Sequence, residues 1–293
     1  MKHYLGIDIG GTSIKVGVVD ENGVLQSRRK LPLPADWDAM GDTIEALFRE
    51  ASAQTPIAGV GFATPGTADS VTGIISGIPA PTVAYIFGRC FFDFSARLGV
   101  PVSLEQDANC AALGEYWVGN AQGCRTAMTL VLGSGLGGCI LLDGRVHHGA
   151  HTQGGDTGYA FRTAEPGDHS FSYHIAPVSV EQQYRERTGR FLTIPQMYEN
   201  RATDPDARAV YDRFLDTLAN TITILQYTVD PELFLLGGGV SEWELLIPEV
   251  ERRLRELQAA QGGPLLPRVT RCRHRNSANI IGAVYHLRQQ HTI

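Results

Sequence analysis

The sequence predicts an α/β protein built from two related halves, and three observations support this prediction. Apolar runs typical of buried strands alternate along the chain with runs at helical spacing, as in α/β architecture. The chain opens with two strands around a glycine turn at Gly10-Gly11, and a similar strand–glycine–strand unit recurs around 133–138. The 293 residues are enough for two modest domains, between which we expect a cleft. We expect a smaller N-terminal domain formed by residues 1–119 and 279–293. The larger C-terminal domain would be formed by residues 120–278.

The first half is predicted to contain five strands and two helices. Leu5, Ile7 and Ile9 alternate with other residues, as on a strand, and Asn22-Gly23 marks a turn between the second strand and the third. The predicted elements are, in order, strands within 4–9 and 14–18, a third strand after 23, a helix over 37–53, a strand over 57–66, a strand from 100 that stops at Asp107, and a helix over 108–118.

The second half repeats the alternation of strands and helices, and its last helix has Ser277 or Asn279 as a candidate cap. The predicted elements are, in order, two strands around a glycine loop and then an Asp-Gly turn over 126–146, one long helix over 207–230, a strand, three glycines and a helix over 231–257, and a final helix over 277–290.

Charge, hydropathy and cysteine usage exclude several classes of protein. The net charge of −6 disfavours binding to nucleic acid or to anionic lipid, since both require a basic surface. No apolar run approaches the roughly 20 residues needed to cross a bilayer, and the first strand begins too early for a signal peptide. The five cysteines are widely spaced and include no CxxC pair. We therefore expect a cytoplasmic protein with neither a nucleic-acid partner nor a membrane partner.

Three glycine-rich turns, at 10–12, 133–138 and 237–240, each follow an apolar strand. Such turns expose backbone N–H groups to an anion, and we expect a helix directly after Gly239 to add its dipole. Taken singly, any one of the three is better explained as a tight connection between strands. The sequence GSGLGG at 133–138 leads into a strand and not a helix, which argues against a dinucleotide-binding fold. The recurrence of the motif favours phosphate binding.

Two acids stand beside these turns. Asp107 ends a predicted strand, where it could cap the following helix or accept a proton from an alcohol during phosphoryl transfer. Asp8 precedes the first glycine turn, where a carboxylate could hold Mg²⁺ through water. Both interpretations of Asp107 are compatible with one another.

Five motifs in this order, GIDIGGTSIKVGVVD, EQDANCAALGE, LGSGLGG, GGDTGY and LLGGGV, resemble those of the ROK family of sugar kinases. The resemblance extends from residue 4 to about residue 290, and within the family it is greatest to bacterial β-glucoside kinases. It implies two ribonuclease-H-like domains of the actin/Hsp70 ATPase type, a homodimer, and the use of ATP with Mg²⁺.

The resemblance also implies roles for individual residues. Asp107 would be the catalytic base, and Asp8 would face the Mg²⁺ ion, through water. The implied ATP-binding residues are Asp8, Gly10, Gly11, Thr12, Lys15, Gly133, Ser134, Gly135, Gly137, Gly138, Gly237, Gly238 and Gly239. The implied sugar-binding residues are Gly66, Asp107, Asn109, Asp156 and Tyr159.

The sequence departs from the family pattern at two places. The family's ExGH motif is replaced by Asp156-Thr157-Gly158-Tyr159, with a shorter acid and a tyrosine for the histidine. The family's cysteine-rich zinc motif is absent, because residues 168–181 contain no cysteine, so we expect no zinc. The glutamate that normally follows it, a sugar ligand, has no secure counterpart. A metal site at His147, His148 and His151 is an alternative, but a loop after the Asp-Gly hairpin explains these histidines more simply.

These observations predict an ATP- and Mg²⁺-dependent kinase that phosphorylates the 6-hydroxyl of glucose or of a β-glucoside such as cellobiose. One alternative is a glucokinase that acts only on the free hexose. A second is a catalytically inactive sugar sensor, which intact Asp8 and Asp107 disfavour. A third is a sugar-responsive repressor, which would carry a DNA-binding helix-turn-helix before the first strand, where the sequence leaves no room for one.

Overall fold

The computed structural model describes residues 1–161 and 169–291, which divide into two compact units. Unit 1 comprises Met1–Gln122, His148–Gln153 and Ser277–Ile293, and unit 2 comprises Gly123–His147 and Gly154–Asn276. Residues 148–153 thus belong to unit 1, although the residues on both sides of them belong to unit 2. No sequence pattern predicted this. The domain limits expected from the sequence stay a prediction.

The strands are β1 (His3–Ile9), β2 (Ser13–Asp20), β3 (Leu25–Pro32), β4 (Ile57–Thr64), β5 (Thr67–Asp69), β6 (Ile74–Ser76), β7 (Val102–Gln106), β8 (Thr126–Leu132), β9 (Leu136–Leu142), β10 (Arg145–Val146), β11 (Leu233–Gly237) and β12 (Val269–Arg271). The α-helices are α1 (Trp37–Gln54), α2 (Asp93–Leu98), α3 (Asp107–Val118), α4 (Phe171–Ile175), α5 (Pro177–Thr188), α6 (Ile194–Asn200), α7 (Pro205–Val229), α8 (Leu246–Gln261) and α9 (Ala278–His291). Short 3₁₀ turns occur at Pro81–Ile86, Thr157–Tyr159, Gly239–Glu242 and Arg275–Ser277.

Unit 1 contains a five-stranded sheet in the order β3-β2-β1-β4-β7. The strands β1, β2 and β3 are antiparallel, whereas β1, β4 and β7 are parallel. Alternate residues of β1 face opposite sides, so that Leu5 and Ile7 pack with Ile44 of α1, while Tyr4 packs with Ile280 of α9. The carboxyl ends of the three parallel strands therefore share one edge of the sheet.

Glycines allow α9 to lie directly against both the sheet and α3. A Cβ atom on Gly61 of β4 would stand 2.3 Å from the Ala283 carbonyl oxygen, and one on Gly114 of α3 would stand 2.4 Å from that of Ala278. Only glycine permits this approach of backbone to backbone. The start of α3, at the end of β7, is held in place by this packing.

Unit 2 contains a second five-stranded sheet in the order β10-β9-β8-β11-β12. The strands β8, β9 and β10 are antiparallel, and β8, β11 and β12 are parallel. The prediction that each half opens with an antiparallel pair around a glycine turn is confirmed. Apolar residues of β8 pack with those of α7 and α8 in one core, which includes Leu130, Leu218 and Val250.

Two local expectations are wrong. Residues Gly239–Glu242 form a 3₁₀ turn, and α8 begins only at Leu246, so no α-helix starts at the third glycine turn. The Trp243 N–H donates to the Val240 carbonyl, and the Leu246 N–H donates to the Trp243 carbonyl, so the chain makes successive tight turns before α8. Asp107 is the first residue of α3, and the extended Gln106 has the capping position. Within the described residues, no helix combines the length and apolarity needed to span a membrane.

Candidate active site

The first glycine turn joins β1 to β2 beside a nearly buried ion pair. Asp8 on β1 lies opposite Lys15 on β2, and 2.8 Å separates the Lys15 Nζ atom from the Asp8 Oδ2 atom. The amide nitrogen of Asn279 lies 3.4 Å from the other carboxylate oxygen of Asp8. This arrangement fixes the orientation of the Asp8 carboxylate at the predicted metal position.

Gly11 is exposed, and the fold has no steric need for a glycine there. A Cβ atom on Gly11 would have only the Thr82 hydroxyl within 4 Å, at 3.9 Å, and its φ lies outside the left-handed region. A side chain at position 11 would therefore not strain this turn. The space above Gly11 is left open by unit 1, as a ligand site would require.

Asp107 and Gly66 lie at the same edge of the unit 1 sheet as the first glycine turn, because β1, β4 and β7 end there. The half-buried Asp107 carboxylate accepts a hydrogen bond from the Ala108 N–H at 2.7 Å. Gly66 has a φ of +84°, and a Cβ atom would stand 2.7 Å from the Phe87 ring. The backbone conformation thus accounts for the glycine at 66, whereas the role of Asp107 as a base stays a prediction.

Glu105, a residue that sequence reasoning missed, lies at the end of β7 and is completely buried. Its Oε1 atom accepts from the Gln106 N–H at 2.7 Å and from the Asn109 side-chain amide at 2.8 Å. Its Oε2 atom lies 2.7 Å from the His148 Nε2 atom and 3.9 Å from the His286 Nδ1 atom. The available signal was a charged residue directly after the apolar and small residues of the predicted strand.

The three titratable groups of this cluster have different pKa shifts. Burial opposes the ionisation of Glu105, but the hydrogen bond from His148 and the charge of His286 bring the pKa of the carboxyl below its usual value. The hydrogen bond to Glu105 raises the pKa of His148. Burial lowers the pKa of His286 despite the same carboxylate. The short hydrogen bond between Glu105 and His148 therefore favours a charged pair.

In unit 2 the second glycine turn contains both open and packed glycines. Gly133 leaves space for a Cβ atom, whose nearest neighbour would be 3.9 Å away, and one on Gly135 would stand 3.3 Å from the Ser172 hydroxyl. A Cβ atom on Gly138 would stand 2.1 Å from the Gly155 carbonyl. The Ser172 hydroxyl accepts from the Leu136 N–H at 3.0 Å and so ties the turn to α4. The packing in unit 2 thus explains Gly138 without any ligand. The predicted nucleotide-binding residues Ser134 and Gly137 lie in the same turn.

The third glycine turn, at 237–239, also contains both packed and open glycines. Gly238 has a φ of +87°, and a Cβ atom there would stand 2.0 Å from the Leu132 carbonyl oxygen. One on Gly237 would stand 3.2 Å from the Cys272 sulfur, and one on Gly239 would meet no atom of the described residues within 4 Å. Gly238 is therefore required by the backbone, and Gly239 is the open residue of the turn.

Gly133 and Gly239 line one side of a mostly apolar cavity of about 570 Å³ in unit 2. Its other lining residues are Leu132, Pro177, Val178, Glu181, Thr193, Pro195, Val240 and Trp243. Burial raises the pKa of Glu181, although the carboxylate accepts a hydrogen bond from the Ile194 N–H. A flat apolar ring with a few polar edges is the kind of group that such a lining accommodates.

The altered sugar motif forms a 3₁₀ turn at Thr157–Tyr159. A Cβ atom on Gly158 would stand 2.1 Å from the Leu136 carbonyl, which places this turn against the start of β9. The Tyr159 side chain is 68% exposed and Asp156 is partly exposed, so neither fills a core position. Their roles as sugar ligands stay predictions.

No group of three or more His, Cys, Asp or Glu side chains that could hold a metal ion occurs in the part of the chain that the structure describes. His148, one of the three histidines weighed as a metal site, is instead hydrogen-bonded to Glu105. Of residues 168–181, which replace the family's zinc motif, Asp168 lies outside the described residues, and the others include α4 and the start of α5.

Two mixed sheets of equal strand order, each with a glycine turn after its first strand, define an α/β chain of the actin/Hsp70-type ATPase fold. The chain belongs to the ROK family, which matches residues 4–290. The predicted family and fold are thereby confirmed.

The relatives are sugar kinases with different names. The chain is 30% identical to an N-acetyl-D-glucosamine kinase of Photobacterium profundum, over 96% of this chain and 98% of the relative. It is also 30% identical to a β-glucoside kinase of Listeria innocua, over 97% of this chain and 96% of the relative. A solved ROK family glucokinase of Streptomyces griseus, in complex with glucose and AMPPNP, is 25% identical and has a TM-score of 0.81, covering 98% of this chain and 99% of that one.

Proposed function

We propose that the protein is an ATP-dependent kinase that transfers the γ-phosphoryl group to the 6-hydroxyl of a hexose, either glucose or a β-glucoside such as cellobiose. The observation that carries this proposal is the edge of the unit 1 sheet. There the open turn at Gly11 and the acid Asp107 both follow parallel strands of one sheet. The sugar kinases among its relatives support the same reaction.

ATP is the proposed phosphoryl donor. The S. griseus structure holds AMPPNP, an ATP analogue. The apolar cavity of unit 2 is suited to the adenine ring, and the open glycines Gly133 and Gly239 on its border are suited to phosphates, because their N–H groups are not shielded by side chains. The open Gly11 of unit 1 is the third proposed phosphate contact.

Mg²⁺ fits the residues around Asp8 as a water-mediated ligand. Mg²⁺ in kinase sites is bound by one or two carboxylates together with phosphates and waters. Asp8 supplies one such carboxylate, whose second oxygen is occupied by Lys15. When bound, the ion would neutralise charge on the phosphates.

In the proposed reaction Asp107 accepts the proton of the sugar 6-hydroxyl as the hydroxyl oxygen attacks the γ-phosphorus. The bond between the γ-phosphorus and the β–γ bridging oxygen breaks, and ADP leaves. The carboxylate is half-buried at the first residue of α3, where the helix dipole stabilises its negative charge. Lys15 lies opposite Asp8, where its ammonium group is available to balance negative charge on the phosphates. Asn109, two residues further along the same helix, holds a sugar hydroxyl.

An ADP-release assay against a panel of acceptors tests the proposal. The panel contains glucose, N-acetylglucosamine, cellobiose and salicin, each with and without Mg²⁺, and Asp107→Asn is the inactive control. We expect Mg²⁺-dependent release with at least one acceptor and no response to added zinc. A blank panel with intact ATP binding would favour the sugar sensor. The cytoplasmic location and the homodimer stay predictions.

A further inference from the structure

The buried carboxylate of Glu105 collects hydrogen bonds from three different parts of unit 1. The donors are a backbone N–H at the end of β7, the side-chain amide of Asn109 on α3, and the ring of His148 in the 148–153 segment. A completely buried charge is costly unless it is paired and hydrogen-bonded, and here both requirements are met. The arrangement therefore fixes the positions of all three donors.

The orientation of the Asn109 amide follows from this arrangement. An ionised carboxylate only accepts hydrogen bonds, so the group of Asn109 that faces Glu105 must be its NH₂ group. The Oδ1 atom is consequently turned away from Glu105. Asn109 is 4% exposed, and its Oδ1 atom has no hydrogen-bond partner among the described residues. A buried acceptor of this kind calls for a donor from outside the protein.

The other oxygen of Glu105 anchors the segment 148–153 to unit 1. His148 lies at the start of that segment, with its Nε2 atom 2.7 Å from Glu105. Gln153 lies at its end, with its amide nitrogen 2.7 Å from the Thr67 hydroxyl. These hydrogen bonds join the segment to β7, whose last residue directly precedes Asp107, and to β5.

We propose that Glu105 is a positioning residue for the acceptor sugar, which orients the Asn109 carbonyl oxygen toward a sugar hydroxyl and, through His148, holds the 148–153 segment in place. This inference rests on the proposed sugar kinase function. It assigns to Asn109 the acceptor role in the contact, so that the sugar hydroxyl donates. Glu105 itself touches neither substrate.

The test compares Glu105→Gln with a matched control, Glu115→Gln. Glu115 is also completely buried and lies on α3, but at its other end, where its carboxylate accepts from the Asn120 N–H. Glutamine removes the negative charge at 105 and turns one of its two acceptors into a donor, so the hydrogen bonds from the three groups are no longer charge-assisted. The measurements are kcat and KM for the sugar and for ATP, sugar affinity by calorimetry, and thermal unfolding of every variant.

We expect Glu105→Gln to raise the KM and the Kd for the sugar about tenfold, as for the loss of one charge-assisted hydrogen bond, with KM for ATP unchanged. Glu115→Gln is expected to leave both substrate constants unchanged. His148→Ala is expected to raise the sugar KM, and His148→Gln, which keeps a donor, to restore most of the loss. Adding Asn109→Ala to Glu105→Gln should raise the sugar KM no further than Asn109→Ala alone, because both act through one contact.

The inference fails if Glu105→Gln lowers thermal stability but keeps the sugar KM, or if the two glutamine variants change sugar and ATP constants alike. The proposed function is tested separately by the unmodified protein. If that protein binds sugar without turnover, the calorimetric comparison still decides the inference. If it neither binds nor phosphorylates any sugar, both proposals are overturned.

Discussion

The two sheets have the same strand order, yet the edges where their parallel strands end carry different side chains. In unit 1 this edge carries several charged residues. Asp8 is paired with Lys15, and Glu105 and Asp107 lie at the end of β7. In unit 2 the corresponding turns border an apolar cavity that includes Trp243. The comparison shows that strand order places the loops, while the side chains decide the chemistry. We assign proton transfer to the unit 1 edge and binding of the nucleotide base to the unit 2 cavity.

The largest effect is expected at the charged edge. Asp107→Asn keeps the size of the side chain and removes its ability to accept a proton, so turnover should fall by about 10²-fold or more, in the range of general-base catalysis. Steady-state ADP release at saturating sugar and ATP measures this, and circular dichroism with thermal unfolding confirms that the variant is folded. Turnover close to that of the unmodified protein would reduce Asp107 to a structural role at the start of α3.

The second-largest effects are expected from substitutions of glycines at the two edges. Gly11→Val and Gly239→Val should weaken ATP binding about tenfold or more while leaving stability unchanged, because the fold leaves both positions open. Gly238→Val should instead destabilise the protein, by about 1–3 kcal/mol from its left-handed φ alone. Calorimetry with ATP and thermal unfolding of the three variants separate these effects. Unchanged ATP affinity in Gly11→Val and Gly239→Val would leave these turns as simple connections between strands.

Much of the fold was predictable because its signals are local. Alternation in β1 and β2, helical spacing in α1 and α7, and the glycine turns were all read from neighbouring residues. The difference between Gly238 and Gly239 was not, since it depends on a φ angle and on the carbonyl of Leu132 in another strand. Glu105 was missed for the same reason: its partners Asn109, His148 and His286 come together only in the folded unit.

The altered sugar motif yields a smaller expected effect, on substrate preference. Tyr159 is exposed, and its ring is free to pack against a second sugar or an aryl group, while Asp156 reaches less far than a glutamate. We predict kcat/KM for cellobiose or salicin at least comparable to that for glucose. Tyr159→Ala should lower the β-glucoside value about fivefold, consistent with the loss of about 1 kcal/mol of ring packing, and leave glucose unchanged. Strong turnover of glucose with none of any β-glucoside would identify a glucokinase instead.

The smallest expected effect is a pH dependence of stability within the charged edge. Because the Glu105 hydrogen bond raises the pKa of His148, the pair stabilises the folded protein fully below the ordinary histidine value of 6.5 and loses that contribution as pH rises through the raised pKa. Asp69 adds to the shift, and the neighbouring His286 has a lowered pKa. Unfolding free energies of the protein and of His148→Gln should therefore converge as the pH rises above the ordinary histidine value of about 6.5. A difference that stays constant or widens over this range would contradict the charged pair.

We assign proton transfer to the unit 1 edge and nucleotide binding to the unit 2 cavity. The most direct test of this assignment measures turnover and ATP affinity on the same preparations of Asp107→Asn and Trp243→Ala. Our account predicts opposite results. Asp107→Asn should lose about 10²-fold in kcat and retain its Kd for ATP, whereas Trp243→Ala should weaken ATP binding about tenfold and, at saturating ATP, keep kcat within about threefold. If Asp107→Asn weakens ATP binding as much as Trp243→Ala does, or if both variants lose kcat and ATP affinity together, the assignment of separate roles is contradicted.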